Sequence, residues 1–260
     1  MKRFRKGFLA LALALILIGG SLAGLAWFMG AETSLEGGWG RGGFGVSNAR
    51  EINMTFSDEF DRITLNLGAA NVTVQEGTEF RATGRLSDRV NISTSNNTLI
   101  IEEARRGGFS LNFGFSRQSY HLTITVPHGT VLDTLNLESG AGRLDVQNIE
   151  AGRAYITSGA GTVNLRNVDF GHTVLHTGAG TVDANGTFTG LLDVSTGAGN
   201  VNLTLSGARE DYAYTIQTGA GRTTVDGSRI TGGATRSHTD PVATLRVSTG
   251  AGNASVNFRG

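Results

Sequence analysis

The chain has 260 residues, with 39 glycines, 2 prolines and no cysteine, and its 22 basic residues balance 22 acidic ones. The absence of cysteine excludes disulfides, thiolate metal sites and a thiol nucleophile. Many glycines beside few prolines and 7% aromatic residues favour an elongated structure with many tight turns. Four basic residues lie within positions 1–6, so the rest of the chain carries an excess of acid. Nucleic-acid binding therefore has no electrostatic support.

The N-terminal stretch is typical of a membrane anchor. Residues 1–6 form a basic tail, and residues 7–29 carry no charge over a length that crosses a hydrocarbon core. Basic residues before an apolar span stay cytoplasmic, which predicts a single-pass transmembrane helix with the rest of the chain extracellular or periplasmic. Cleavage as a signal peptide near Ser21–Ala23 is the alternative. Retention is favoured because the apolar run continues through Met29.

A glycine-rich linker is predicted at residues 30–50, followed at 51–130 by an N-terminal part with strand signals that caps the main domain. Residues 63–74 resemble one degenerate repeat. The insertion at residues 105–117 is rich in glycine and carries Phe109, Phe113 and Phe115. We interpret these phenylalanines either as an interaction loop for a partner or membrane, or as a hairpin that covers the end of the domain.

From residue 131 to 260 the phrase Ser/Thr-Gly-Ala-Gly recurs, first at intervals of 19 residues and then of 22 and 31. A fixed short period is the signature of a solenoid. The glycines of the phrases, which we predict to form structural corners, are Gly140, Gly142, Gly159, Gly161, Gly178, Gly180, Gly197, Gly199, Gly219, Gly221, Gly250 and Gly252.

Apolar residues alternate with polar ones on both sides of each phrase, which predicts strand, tight corner and strand in every repeat. Glycine suits the corner because it adopts positive φ, and we expect the small alanine to point into the narrow edge between two sheets. The hydroxyl residue before each corner is expected to join a hydrogen-bonded ladder. The fold class is thus all-β: a parallel, two-sheet β-solenoid of about 19 residues per coil, preceded by one transmembrane α-helix.

Successive repeats are expected to stack in chain order, so that the last one forms the C-terminal end of the solenoid. Only residues 253–260 follow the last phrase. We therefore predict that this end is protected either by the charged Arg259 alone or by another subunit. The segments 206–213 and 226–241 are predicted to bulge from one edge. The oligomeric state stays open.

The strand from Tyr120 to Gly129, YHLTITVPHG, followed by Ser/Thr-Gly-x-Gly repeats and preceded by a membrane-spanning N-terminus, resembles the bacterial putative-adhesin family of β-strand repeats, which includes LiaG-like proteins. The resemblance covers residues 50–260. It implies a β-repeat domain of unknown function with no catalytic or binding residues to transfer. The phenylalanine-rich insertion departs from the family pattern.

No cluster of residues predicts catalysis, a cofactor or a metal. His172 and His176 are four residues apart, which on a strand separates them by about 13 Å. The column Asp145, Asn164, Asp183 and Asn202 leaves calcium binding open, although half of it is amide.

We therefore expect a non-catalytic, membrane-anchored cell-surface protein that serves in adhesion, cell-wall contact or envelope-stress signalling. Its ligand is unknown, with cell-wall or host glycans and proteins as candidates. The alternative is a carbohydrate-active β-solenoid enzyme, a lyase or glycosidase, acting on surface polysaccharide.

Overall fold

The computed structural model describes residues 49–104, 120–231 and 233–260, which are almost entirely β-structure with one short 3-10 helix, Arg209–Asp211. The strands are β1 (Ala49–Thr55), β2 (Arg62–Ala69), β3 (Asn71–Gly77), β4 (Arg81–Ser87), β5 (Val90–Ser95), β6 (Thr98–Glu103), β7 (His121–Pro127), β8 (Val131–Gln147), β9 (Glu150–Phe188), β10 (Gly190–Ser206), β11 (Tyr212–Ala220), β12 (Thr223–Val225), β13 (Ser228–Ile230), β14 (Ala234–Arg236), β15 (Ala243–Ala251) and β16 (Ala254–Arg259). The all-β, solenoid-like fold predicted from the repeats is confirmed.

None of the helices in the described ranges is both long and apolar enough to cross a membrane. The predicted tail at 1–6 and span at 7–29 lie outside those ranges, as does most of the predicted linker. The first strand, β1, begins at Ala49, one residue before the predicted end of that linker.

Each coil consists of two strand legs joined at a Gly-Ala-Gly corner. In β8 the first leg precedes Gly140 and the second follows Gly142, and β8 pairs in parallel with the next coil in exact 19-residue register. The interval of 19 residues in the sequence is therefore the length of one turn of the solenoid. We call the sheet built from the first legs sheet A, and the sheet built from the second legs sheet B.

The core lies between the two sheets and consists of stacked apolar columns. From sheet A, Leu137 and Ile156 face inward, and from sheet B, Leu144 and Val163 do so, all without solvent exposure. Burying each such side chain contributes about 1.5–3 kcal/mol. The alternation of apolar and polar residues turns the apolar side chains of every coil inward. Their burial holds the two sheets face to face.

The coils do not stack in chain order at the C-terminal side. β10 pairs in parallel with β15 and β16, and these pair on their other side with β11 and β12. The chain thus passes from the coil at 190–206 to the terminal coil at 212–225, and then returns to insert its last coil, 243–259, between them. The expectation that the last repeat ends the solenoid is wrong.

At the N-terminal side, too, the coils are not stacked in chain order. β6 pairs in parallel with β2, and β7 with β3, so that the coil at 98–127 lies outside the coil at 62–77. The inner coil in turn pairs with β8. The phenylalanine-rich insertion falls between β6 and β7, the position at which other coils have their corner, and Phe109, Phe113 and Phe115 lie outside the described residues.

Short antiparallel strands cover both terminal coils. At the C-terminal side β14 pairs with β11 and β13 pairs with β12; at the N-terminal side β5 pairs with β6, and β4 pairs with β7 and carries β1 on its far side. The segment 226–241, predicted to bulge from an edge, therefore supplies a cap. Arg259 is not a lone gatekeeper, because its strand β16 is paired on both sides.

Candidate functional site

The Gly-Ala-Gly corners stack into a ridge that runs along the solenoid. The second glycine of every phrase has φ between +124° and +156°, a conformation that side chains disfavour. A Cβ at either glycine would lie within 3.0 Å of a carbonyl oxygen in the neighbouring coil; at Gly159 the obstacle is Gly140 O. The glycines thus permit the backbones of adjacent corners to touch, which is a structural role.

The alanine of each corner points outward, contrary to expectation. Ala141 and Ala160 are exposed, whereas the preceding Ser139 and Ser158 are 2% and 1% exposed. Ser139 and Leu144 are both buried although they are five residues apart, so the corner interrupts the alternation and leaves the alanine on the outer side of the bend. The ridge is therefore a narrow, side-chain-poor surface.

The buried hydroxyls do not form the ladder that the sequence led us to expect. Ser139 donates to Ala141 O at 3.2 Å and Thr249 donates to Gly199 O at 3.4 Å, so these hydroxyls reach corner carbonyls. The side-chain oxygens of Ser158, Thr177 and Thr196 have no hydrogen-bond partner among the described residues. The column supplies short polar side chains that fit beneath the corner.

The outer face of sheet B carries the Asp/Asn column. Asn164 Nδ2 donates to Asp145 Oδ1 at 2.5 Å, and Asn202 Nδ2 donates to Asp183 Oδ1 at 2.6 Å. Within the described ranges no three His, Asp or Glu side chains converge in a way that could hold a metal ion. The column therefore consists of amide–carboxylate pairs whose hydrogen bonds link neighbouring coils.

The outer face of sheet A differs because it carries an aromatic ring. Tyr155 is the one aromatic side chain of the described residues that is exposed, at 38%. Its ring centroid lies 6.1 Å from that of His172, with 51° between the planes. The Tyr155 hydroxyl has no partner among the described residues.

The two histidines noted in the sequence both lie on this outer face and serve different neighbours. His172 contacts Tyr155, and His176 hydrogen-bonds through Nδ1 to the Ser195 hydroxyl in the next coil. The residue equivalent to His176 in the preceding coil is Thr157, so no carboxylate orients this imidazole from within its column. The pair lacks the third member that a Ser-His-acid nucleophile requires.

A cluster of ions lies at the edge of the same face. Arg62 Nε and Arg153 Nη2 contact the two oxygens of Asp133 at 3.2 and 2.5 Å. The Arg62 hydrogen bond, assisted by the charge of Arg153, lowers the pKa of Asp133 below its ordinary 3.8. Asp133 therefore stays ionised and offsets part of the positive charge near Tyr155.

Two shallow depressions lie towards the N-terminal end of the solenoid. One, of about 460 Å³, is lined on the sheet B side by Arg81, Thr83 and His121, among others. The other, of about 470 Å³, lies beside Asn66, Glu102 and Glu103. Glu103 is engaged by Arg89 at 2.6 Å and by the Gly68 backbone amide at 3.0 Å. Its carboxylate is thus held in structural contacts.

Residues of interest that the sequence did not single out are Tyr155, Arg153 and Asp133. Tyr155 could have been found by comparing outward positions between repeats, because its counterparts are Asn136, Val174 and Asp193. The Arg62–Asp133 contact joins residues that are far apart in the chain, and no sequence pattern indicated it.

The geometry defines a β-solenoid domain, and comparison with known proteins gives its family. The chain belongs to the family described as Toastrack DUF4097, whose model matches residues 60–257. The resemblance to the putative-adhesin repeat proteins is thereby confirmed, and the family is one of unknown function.

Several solved structures are similar to this chain. A putative cell adhesion protein from Clostridium sporogenes is 12% identical, with 82% of this chain and 100% of that chain covered and a TM-score of 0.39. A putative adhesin from Bacteroides fragilis is 12% identical, covering 82% and 97%, with a TM-score of 0.31. A putative lipid binding protein from Parabacteroides distasonis is 12% identical, covering 82% and 96%, with a TM-score of 0.32. No curated protein matches the chain.

Proposed function

We propose that this protein is a non-catalytic, membrane-anchored module that binds a ligand outside the cytoplasm through a flat face of its solenoid. The observation that carries the proposal is the pair of broad, polar outer faces on a continuously hydrogen-bonded scaffold. Stacked strands fix the spacing of the exposed side chains at about 4.8 Å, so that binding orders little of the protein. Such a surface suits contact with an extended partner.

The uncharged run at residues 7–29 supports the anchor, with the basic residues before it cytoplasmic. Adhesion, cell-wall contact and envelope-stress sensing all require this placement. To test it, membranes from cells that express the full chain are washed with alkaline carbonate. We expect the full chain to stay in the membrane pellet and a variant lacking residues 1–29 to be released; release of the full chain would contradict the anchor.

The alternative of a carbohydrate-active enzyme has weaker support. The described depressions are shallow, and the carboxylates of Asp133 and Glu103 are occupied by arginine contacts. A glycosidase needs two carboxyl groups placed about a scissile bond, one of them free to give up a proton. Release of reducing sugar from a polysaccharide that the protein binds would favour the enzyme.

The binding function is tested with the full chain purified in mild detergent and mixed with isolated bacterial envelope, extracellular matrix or no target. Saturable sedimentation with one target is the expected result, with unchanged binding after chelation because the Asp/Asn column is internally paired. Loss of binding with chelator would instead implicate calcium. Failure to bind any target would contradict the proposal.

A further inference from the structure

We propose that the outer face of sheet A around Tyr155 binds an uncharged polysaccharide, with the tyrosine ring as the platform for one sugar. This inference rests on the proposed binding function and names its ligand class. We call the surface formed by Asn136, Arg153, Tyr155, Thr157, His172 and Asp193 the Tyr155 face.

The ring is presented in a way that suits a flat apolar surface of a ligand. Tyr155 is 38% exposed, is anchored on a central coil and packs at its side against His172. Aromatic side chains offer a large contact area at low cost in conformational entropy, and a polar tip beside an apolar body. Sugar rings present a C–H face to such a surface and direct their hydroxyls sideways.

The surroundings of the ring supply partners for those hydroxyls. Asn136 lies directly beside Tyr155 on the adjacent strand, and Thr157 lies two residues along the same strand on the same face. These positions are about 4.8 and 7 Å from Tyr155, within the span of one sugar. Amide and hydroxyl groups both donate and accept, as sugar hydroxyls do.

A second sugar would meet Asp193. The register places Asp193 beside Val174, whose column also contains Tyr155, so Asp193 lies about two strand spacings from the ring. Arg246 lies beside Asp193 on the next strand without an ion pair between them, so the Asp193 carboxylate is available to accept hydrogen bonds from sugar hydroxyls. The site continues along the solenoid axis, in the direction in which a chain of sugars would run.

The charge of the face favours an uncharged polymer over an anionic one. The cation nearest the ring in sequence, Arg153, is bound by Asp133 at 2.5 Å, and on the other side Asp193 lies beside Arg246 in the strand register, so charges of opposite sign adjoin there as well. With charges of both signs side by side, the face offers no excess of positive charge to an anionic polymer or a phospholipid surface. On this face, Tyr155 is the one exposed Phe, Tyr or Trp that the structure describes, which also disfavours insertion of the face into lipid.

Sheet B provides the contrast within the same molecule. In the described ranges its outer columns contain no Phe, Tyr or Trp, and the carboxylates of Asp145 and Asp183 are already paired with asparagines. Gln147 is partly exposed on that face and offers a matched control position away from Tyr155.

The test measures binding of the full chain, in mild detergent, to four neutral probes: a β-glucan, an α-glucan, a mannan and chitin oligomers. Wild type is compared with Tyr155→Ala, Tyr155→Phe and Gln147→Ala. We expect saturable binding to at least one probe, weakened about tenfold or more in Tyr155→Ala and changed less than about threefold in the other two variants. Thermal melting verifies that each variant is folded.

Three outcomes overturn the inference. They are equal affinity in wild type and Tyr155→Ala, binding confined to anionic polymers or anionic lipid vesicles, and no binding of wild type to any neutral probe. If wild type still binds isolated envelope saturably in any of these cases, the binding function stands and only its ligand class is wrong. If envelope binding is absent as well, both proposals fail.

Discussion

At the scale of single residues, the corners show what a sequence pattern reveals and what it leaves out. The positions of the glycines were evident from the repeat, but their reason involves the neighbouring coil, since a Cβ at Gly159 would meet Gly140 O. The outward alanine was mispredicted because small size was taken as a sign of burial. The bend interrupts the alternation of inward and outward residues at the corner and leaves the alanine on its outer side.

We expect Gly161→Ala to destabilise the protein by about 3 kcal/mol, because φ there is +143° and the new methyl group would meet Gly142 O. Gly152→Ala is the matched control, since its Cβ would have ordinary contact with Asp133 O at 3.4 Å. That change should alter stability by less than about 1 kcal/mol. Urea denaturation of both variants measures the difference, and equal effects would contradict the close-packed corner.

Because the hydroxyl of Tyr212 is buried, we expect the folded protein to lose stability at alkaline pH. Burial, together with the charge of Asp211, raises the pKa of Tyr212 above its ordinary 10.0, and its hydroxyl donates to Ser206 O at 2.5 Å. As pH rises above 10 the unfolded chain releases this proton before the folded one does, which favours unfolding. The contribution of the hydroxyl is therefore full below pH 10 and declines until the folded pKa is passed.

We expect wild type to exceed Tyr212→Phe in stability by about 1 kcal/mol at pH 8 and by less at pH 11. Tyr155→Phe, at an exposed ring, serves as the control for general effects of tyrosine ionisation. Chemical denaturation at the two pH values gives the comparison. An advantage of wild type that stays constant between them would show that Tyr212 is not protected from ionisation.

At the scale of elements, the pairing within a coil followed from the sequence, whereas the order of the coils did not. Every repeat has the same inward columns, so each coil is a suitable neighbour for any other. The longer intervals of 22 and 31 residues flagged insertions, and the structure shows that the second one contains the cap strands β13 and β14. Pairing between distant segments depends on chain paths that local patterns do not encode.

The strands β13 and β14 cap the terminal coil, and their removal is expected to expose its strand edges. If residues 227–241 are replaced by a linker of about three residues, close in length to the two-residue connection between β8 and β9, the terminal strands β11 and β12 are each left with one open edge. Open edges of parallel sheets pair with other chains. We expect this variant to self-associate more than wild type in size-exclusion chromatography with light scattering. A replacement that leaves the molar mass unchanged would contradict the capping role.

At the scale of the whole molecule, the all-β, solenoid-like class of fold was apparent from composition and period. The candidate binding surface was not, because one tyrosine among polar outward residues carries no repeat signal. Tyr155 is recognisable as part of a candidate binding surface only once the strand register is known, because the register places Asn136 and Tyr155 side by side on an exposed sheet. The predicted anchor at 7–29 and the phenylalanines at 109, 113 and 115 stay predictions.

The neighbour relations of every exposed column depend on the order of the coils, so that order is the central claim. The chain has no cysteine, which makes pairs of introduced cysteines clean reporters. Ser195 lies beside Ser248, and Ser248 beside Gln217, whereas stacking in chain order would place Ser195 beside Gln217. Neighbouring strands bring Cα atoms within the range that a disulfide spans, and strands two positions apart do not.

The decisive measurement is mild oxidation of the folded double variants Ser195→Cys/Ser248→Cys and Ser195→Cys/Gln217→Cys, followed by mass spectrometry of intramolecular disulfides. We predict that the first pair forms a disulfide and the second does not. A disulfide in the second pair without one in the first would show that the coils stack in chain order, and the account of the caps and the inserted last coil would be wrong.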